Sequence, residues 1–128
     1  MAHHLVCQYI NLSKNKSDEN IVKIISSGNR VIYFTRSNSP YFFKSKKTFL
    51  KKHLSIISFK RKSLIKFSNY KRSELEKIES IELMRAIENY QVVGTFRLQG
   101  DSFSVDVKKN YLLAKKLMTK DEFFKKYK

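Results

Sequence analysis

Lysine and arginine are concentrated in one stretch of the sequence, residues 20–73, which could neutralise a polyanion. The stretch holds fourteen of the 27 basic residues of the chain and none of its 11 acidic residues. Like charges packed together repel one another and destabilise a compact fold unless a partner neutralises them. Nucleic acid is the commonest partner of such a block, and an anionic membrane surface is a rarer one.

The sequence contains no familiar arrangement of catalytic residues. A glycine-rich phosphate loop, a zinc-protease His-Glu-x-x-His motif and a nucleophile elbow are all absent. His53 lies among lysines, whose positive field disfavours its protonated form, and the sequence shows no partner that would make it a general base. Asp106 is expected to pair with Lys108 or Arg97. We therefore predict that the chain is not an enzyme and has no catalytic residues.

Metal, cofactor and membrane sites are not expected either. His3, His4 and Cys7 lack a fourth ligand with suitable spacing, so we predict no metal and no cofactor. A single cysteine suits a reducing compartment, and no apolar run approaches the roughly 18 residues of a membrane span. Without a recognisable secretion signal, the expectation is a cytoplasmic protein with no membrane partner.

The hydrophobic pattern predicts an α+β fold, rich in antiparallel strands, with residues 1–128 forming a single nucleic-acid-binding domain. Two β-branched runs flank a Ser-Ser-Gly-Asn turn and predict a hairpin. The other predicted elements are a strand over 4–12, a short basic helix over 45–54, strands over 55–59 and 64–67, an amphipathic helix over about 73–90, a hairpin over 91–98 and 102–107, and a helical C-terminus.

The order of these elements resembles the LytTR family of bacterial DNA-binding domains. The similarity lies mainly in residues 21–67: the strand-turn at 25–29, the lysine-rich segment at 45–54 and the basic strand at 59–65. A weaker part lies in 95–117, where 107–111 corresponds to the family's closing basic motif. The resemblance implies loops that enter the major groove of double-stranded DNA.

The predicted function is therefore a sequence-specific transcriptional regulator that binds double-stranded DNA through basic loops. Most of the lysines would neutralise phosphates, and residues at the loop tips would contact bases. The predicted nucleic-acid-binding residues are Asn29, Arg30, Lys46, Lys47, Lys51, Lys52, Lys60, Arg61, Lys62, Lys66, Lys108 and Lys109.

Two other classes of function stay open on the sequence. One is a small RNA-binding or ribosome-associated basic protein, in which exposed aromatic rings would stack on bases. The other is an interaction protein for an acidic partner. The helix over 73–90 either packs on the sheet or binds a second subunit or a partner protein through its wide apolar face.

Overall fold

The computed structural model describes residues 5–13, 19–45, 49–100, 102 and 104–127. Within these residues the chain forms five strands and five helices, a mixed α+β fold. The strands are β1 (Leu5–Ser13), β2 (Lys23–Ser27), β3 (Arg30–Thr35), β4 (Phe49–Phe59) and β5 (Val93–Arg97). The helices are α1 (Arg61–Asn69), α2 (Glu74–Glu79), α3 (Met84–Glu88), α4 (Lys108–Met118) and α5 (Glu122–Lys126).

The strands form one sheet in the order β1-β4-β2-β3-β5, and β5 pairs again with β1. β1 runs antiparallel to β4 and parallel to β5. The predicted hairpin is confirmed: β2 and β3 are antiparallel and turn at Gly28, whose φ of 54° favours glycine. Among the described residues, the links that close the barrel are narrow, pairing Lys23 with Lys52 and Arg30 with Gly94.

The hydrophobic core lies between the sheet and the α2–α3 segment. In β1 the inward residues Leu5 and Cys7 follow the period of two, which breaks where the register with β4 shifts between Cys7 and Tyr9. The buried cluster comprises Leu5, Cys7, Ile24, Val31, Phe34 and Val93 from the strands, with Ile81, Leu83, Met84 and Ala86 from the α2–α3 segment.

The α2–α3 segment is tied to β3 by the carboxylate of Glu79. Its two oxygens accept hydrogen bonds from Thr35 Oγ1 and from the Arg36 backbone amide, both at 2.9 Å. Arg36 also donates from Nε to the carbonyl of Glu79 at 2.9 Å. These contacts join residues more than forty positions apart in sequence, so Glu79 holds the helical segment over the core.

The amphipathic helix predicted over 73–90 is wrong in its continuity and in its buried face. The helix stops at Ser80, which has a left-handed φ of 54°, and a second helix starts at Met84. Ile78 is 69% exposed, whereas Ile81 is 5% exposed. Because the break rotates the later residues inward, Ile81, Leu83, Met84 and Ala86 enter the core of this chain.

The basic helix predicted over 45–54 is also wrong. Residues 49–54 belong to β4, with Leu50 and Lys52 buried on alternate positions, and Lys46 and Lys47 lie outside the described residues. Pairing with β1 along most of the strand outweighs the local preference of a lysine-rich segment. The strand predicted over 55–59 is confirmed as the end of β4.

Residues 64–67, predicted as a strand, lie in α1. Ser63 and Phe67, four positions apart, face inward, and the ring of Phe67 lies 5.4 Å from that of Phe59. The three basic residues before them begin the helix instead of interrupting a strand. A helical period therefore fits this segment better than the alternation of a strand.

The C-terminal part differs from the predicted second hairpin. Its first strand is confirmed as β5, but residues 102 and 104–107 form no strand, and β5 pairs with β1 instead. The helical C-terminus is confirmed by α4 and α5. No helix in the described part of the chain is long and apolar enough to cross a membrane.

Candidate functional site

A cavity of about 350 Å³ lies where three distant segments of the chain meet. Its walls come from the entry to β2, from the middle of β4 and from the segment that leads into α4. The lining residues are Asn20, Ile21, Val22, Lys52, His53, Ser55, Ser104, Asp106, Val107, Lys109 and Asn110. This mixture of amide, hydroxyl, imidazole, ammonium and carboxylate groups suits a polar, anionic ligand more than an apolar one.

The imidazole of His53 is fixed in orientation at the wall of this cavity. The backbone amide of Ser55 donates a hydrogen bond to Nδ1 at 3.3 Å, and the ring meets that of Phe34 edge-on at 5.4 Å between centroids. The backbone amide of His53 donates to the carbonyl of Val22 at 2.9 Å. β4 therefore orients the imidazole through Ser55, and the entry to β2 anchors the backbone of His53.

His53 is neutral and carries its proton on Nε2. Burial is the main cause that lowers its pKa from 6.5 to about 4, and the carboxylate of Glu82 opposes this shift. In a neutral imidazole one nitrogen donates and the other accepts; because Nδ1 accepts from Ser55, Nε2 is the donor. Nε2 is buried and has no hydrogen-bond partner among the described residues, so its hydrogen-bonding capacity is unused in a residue that lines the cavity.

The low basicity of His53 agrees with the expectation from the sequence, but its cause differs. The sequence suggested that neighbouring lysines repel the proton, whereas the dominant cause is loss of water around the ring. With Nδ1 occupied and Nε2 protonated, the side chain is prepared to donate a hydrogen bond. It is not placed to remove a proton from a substrate.

Two lysines and one carboxylate complete the charged groups of the cavity. Lys52 is buried, and its ammonium group donates to the carbonyl of Ser102. Lys109 is exposed in the first turn of α4, where the positive end of the helix dipole also attracts anions. Asp106 is the carboxylate that the described residues contribute to the lining, directly before this helix.

The described residues contain no cluster of three or more histidine, cysteine or acidic side chains that could enclose a metal ion.

The residues predicted to bind nucleic acid do not form one surface around this cavity. Lys52 and Lys109 line it, whereas Lys51 lies over the ring of Tyr9 at 4.7 Å and donates to Ser26. Lys108 begins α4 without lining the cavity. The others are exposed at the β2–β3 turn or around α1: Asn29, Arg30, Lys60, Arg61, Lys62 and Lys66. Lys46 and Lys47 lie outside the described residues. Contact of these side chains with a polyanion stays a prediction.

His53 and Asp106 were considered from the sequence and set aside. No local motif joins them, because they are brought together by the pairing of β1 with both β4 and β5. Ser104 and Asn110 carried no signal at all. Nothing in the sequence alone distinguishes His53 from its neighbours, since the burial of its ring comes from the fold.

The most informative comparisons are with cytidylyltransferases. The 3-deoxy-manno-octulosonate cytidylyltransferase of Thermodesulfovibrio yellowstonii is 31% identical over 138 residues, which cover 89% of this chain and 54% of that enzyme. The protein of the same name from Leptospira interrogans serogroup Icterohaemorrhagiae serovar Lai is 38% identical over 90 residues, covering 70% of this chain and 36% of that protein. The chain thus spans about half the length of the curated relatives it matches. No family model matches the sequence.

A solved structure has the same fold. CMP:2-keto-3-deoxy-manno-octonic acid synthetase complexed with CTP superposes with a TM-score of 0.83 and 24% sequence identity, over 93% of this chain and 50% of that one.

These comparisons overturn the LytTR interpretation. The relatives are named as enzymes, and one is complexed with CTP, so the predictions of a DNA-binding transcriptional regulator, of double-stranded DNA as partner and of a non-enzyme are wrong. Neither the RNA-binding nor the acidic-partner alternative is supported. The LytTR pattern failed physically because its helix corresponds to β4 and its basic strand to α1. The chain has the fold of half of a CMP-3-deoxy-manno-octulosonate synthetase and is similar to such enzymes over most of its own length.

Proposed function

We propose that this chain, as one domain over residues 1–128, forms part of a cytidylyltransferase that acts on 3-deoxy-manno-octulosonate and CTP. The observation that carries this proposal is the cavity lined by Lys109, Asp106 and His53, whose Nε2 donor has no partner among the described residues. The similarity to enzymes of this name supports it.

Both substrates of such a reaction are anions, a sugar carboxylate and a nucleoside triphosphate. Lys109 and the N-terminus of α4 supply positive charge at the cavity, and His53 Nε2–H supplies a neutral donor. The fourteen basic residues of the 20–73 stretch, with no acidic residue among them, raise the local concentration of anionic ligands. The positive charge of residues 20–73, which suggested a nucleic-acid partner, would thus attract small anionic substrates.

In cytidylyl transfer, a hydroxyl oxygen of the sugar acid attacks the α-phosphorus of CTP. One phosphorus–oxygen bond forms, the bond to pyrophosphate breaks, and the hydroxyl proton passes to solvent. The contribution of this cavity is to hold the sugar acid still: His53 and Lys109 fix its anionic group, and Asp106 accepts a hydrogen bond from a hydroxyl. A fixed ring orientation at His53 reduces the entropy that is lost on binding.

Calorimetric titration with 3-deoxy-manno-octulosonate tests this assignment on the chain itself. We expect saturable binding that Lys109→Ala weakens about tenfold, since a charge-assisted hydrogen bond is lost. Lys108→Ala is the matched control, because Lys108 is adjacent and exposed but does not line the cavity. Equal losses of affinity in the two variants would mean that Lys109 acts only through general electrostatic attraction. Absence of binding to the wild-type chain would refute the proposal.

A further inference from the structure

α4 is an amphipathic helix whose apolar face is only partly covered by the described part of this chain. None of its residues is buried. At 100° per residue, five apolar side chains lie within an arc of about 160°: Tyr111, Leu113, Ala114, Leu117 and Met118. Leu113 and Leu117 are each 47% exposed. The four lysines of the helix and Leu112 occupy the opposite arc.

A helix of this length is only marginally stable unless its apolar face packs against another element. α4 has 11 residues, and isolated helices shorter than about 12–15 residues are marginal in water, because helices in proteins gain most of their stability from packing an apolar face. No strand or other helix in the described ranges packs extensively against α4. The apolar arc therefore indicates a contact surface for another folded unit.

We propose that the apolar arc of α4 is the surface that receives the other half of the cytidylyltransferase fold. The inference rests on the proposed function. Its occupant is indicated by the solved relative, which matches 93% of this chain with half of its own length and therefore contains a second half of similar size. The inference concerns which surface receives that half, and it is the same whether the half is joined to this chain or carried by another polypeptide.

The position of α4 gives this contact a consequence for the site. Its first turn supplies Lys109 and Asn110 to the cavity, and Asn110 lies within the angular range of the apolar arc. A unit packed along the arc would thus reach the mouth of the cavity. The other half would both stabilise the helix and lie beside the mouth of a cavity whose lining this chain supplies.

Co-expression tests the inference without requiring activity. The probe is the part of the Thermodesulfovibrio yellowstonii enzyme that lies outside its match to this chain, produced together with the full chain. We expect a one-to-one complex in size-exclusion chromatography with light scattering, and slowed hydrogen exchange at the amides of α4. Leu117→Asp should weaken the complex at least about tenfold, because an aspartate would be desolvated at the centre of the interface.

Leu112→Asp is the matched control, since Leu112 is 56% exposed on the opposite arc of the same helix. It should leave the complex intact. No complex, a complex in which α4 exchanges freely, or equal effects of the two substitutions would overturn the inference. Concentration-dependent protection of α4 in the chain alone would also overturn it, by showing that a second copy covers the arc. Binding of the sugar acid is measured separately, so loss of the complex and failure of the proposed function are distinguishable.

Discussion

The backbone amide of Ser55 donates to Nδ1 of His53 at 3.3 Å and so assigns the proton of the imidazole to Nε2. Ser55 has a φ of 57°, an uncommon backbone conformation for a residue with a side chain. This turn of the backbone within β4 brings the amide towards the ring. A local irregularity in a strand thus prepares a hydrogen-bond donor at the cavity.

The lowered pKa of His53 should make stability depend on pH. Because burial lowers the pKa from 6.5 to about 4, the unfolded chain binds a proton in this window and the folded chain does not. The free energy of unfolding should therefore fall as pH decreases from 6.5 towards 4, by on the order of 3 kcal/mol. Urea unfolding at several pH values measures this, and His53→Gln should flatten the dependence. If the free energy of unfolding of the variant depended on pH as steeply as that of the wild type, the dependence would arise from another group.

Glu76 and Arg85 join α2 to α3 by a two-point ion pair. Arg85 donates from Nε to Oε2 at 2.7 Å and from Nη2 to Oε1 at 2.8 Å. Burial opposes ionisation of Glu76 and would raise its pKa. The hydrogen bonds from Arg85 and Ser73, together with the positive charges of Arg85 and Arg72, outweigh burial, so the pKa of Glu76 is lowered.

Removing this carboxylate should therefore be costly. Glu76→Gln should lower the free energy of unfolding by about 3 kcal/mol, because it leaves the guanidinium partly buried without its counter-charge. The contribution of Glu76 should be present above the ordinary carboxyl pKa and be lost as pH falls through the lowered value. Glu74→Gln, in the exposed first turn of the same helix, should cost less than about 1 kcal/mol. Similar losses in thermal unfolding of the two variants would contradict the assignment.

Replacement by aspartate should destabilise the chain much more at Ile81 than at Ile78. Ile81→Asp should destabilise the chain by several kcal/mol, since its side chain is 5% exposed within the core. Ile78→Asp should cost about 1 kcal/mol at most, because the residue is 69% exposed and near the C-terminal end of α2. Chemical denaturation compares the two. A loss of several kcal/mol in Ile78→Asp would mean that Ile78 is buried, as in the continuous helix that the sequence predicted.

Cys7 should report opening of β1. Burial raises the pKa of its thiol to about 11, so little thiolate is present at pH 8 and the side chain is enclosed in the core. A disulfide reagent that releases a coloured thiol should label the native chain slowly and the guanidinium-unfolded chain at once. Rapid labelling of the native chain would mean that the edge between β1 and β5 opens readily.

Local elements were more predictable than the contacts between them. The hairpin of β2 and β3 follows from a Gly-Asn turn between β-branched runs. α2 begins directly after its N-cap Ser73, as the capping pattern indicates, and the Ser73 amide donates to Glu76 at 3.3 Å. The first half of β4 was mistaken for a helix because the stability of the strand comes from pairing with β1, about forty residues away. No local pattern encodes that pairing.

The site was harder to predict for the same reason. His53 and Asp106 are 53 positions apart, and a parallel pairing of β1 with β5 brings their segments to one cavity. The basic stretch suggested a polyanionic partner, but charge alone does not distinguish a polymer from a small sugar acid or nucleotide. Burial of His53 and Lys52, which favours a pocket over a flat basic surface, is a property of the folded chain.

Nitrogen-15 NMR of the imidazole of His53 tests the central claim most directly. At pH 7 the account predicts a neutral ring protonated on Nε2, with an Nε2 signal that shifts saturably when 3-deoxy-manno-octulosonate is added. His53→Gln identifies the signal by its loss, and Lys109→Ala should weaken the response without changing the tautomer. A proton on Nδ1, a charged ring at pH 7, or an Nε2 signal indifferent to the sugar acid would contradict the assignment of this cavity as its binding site.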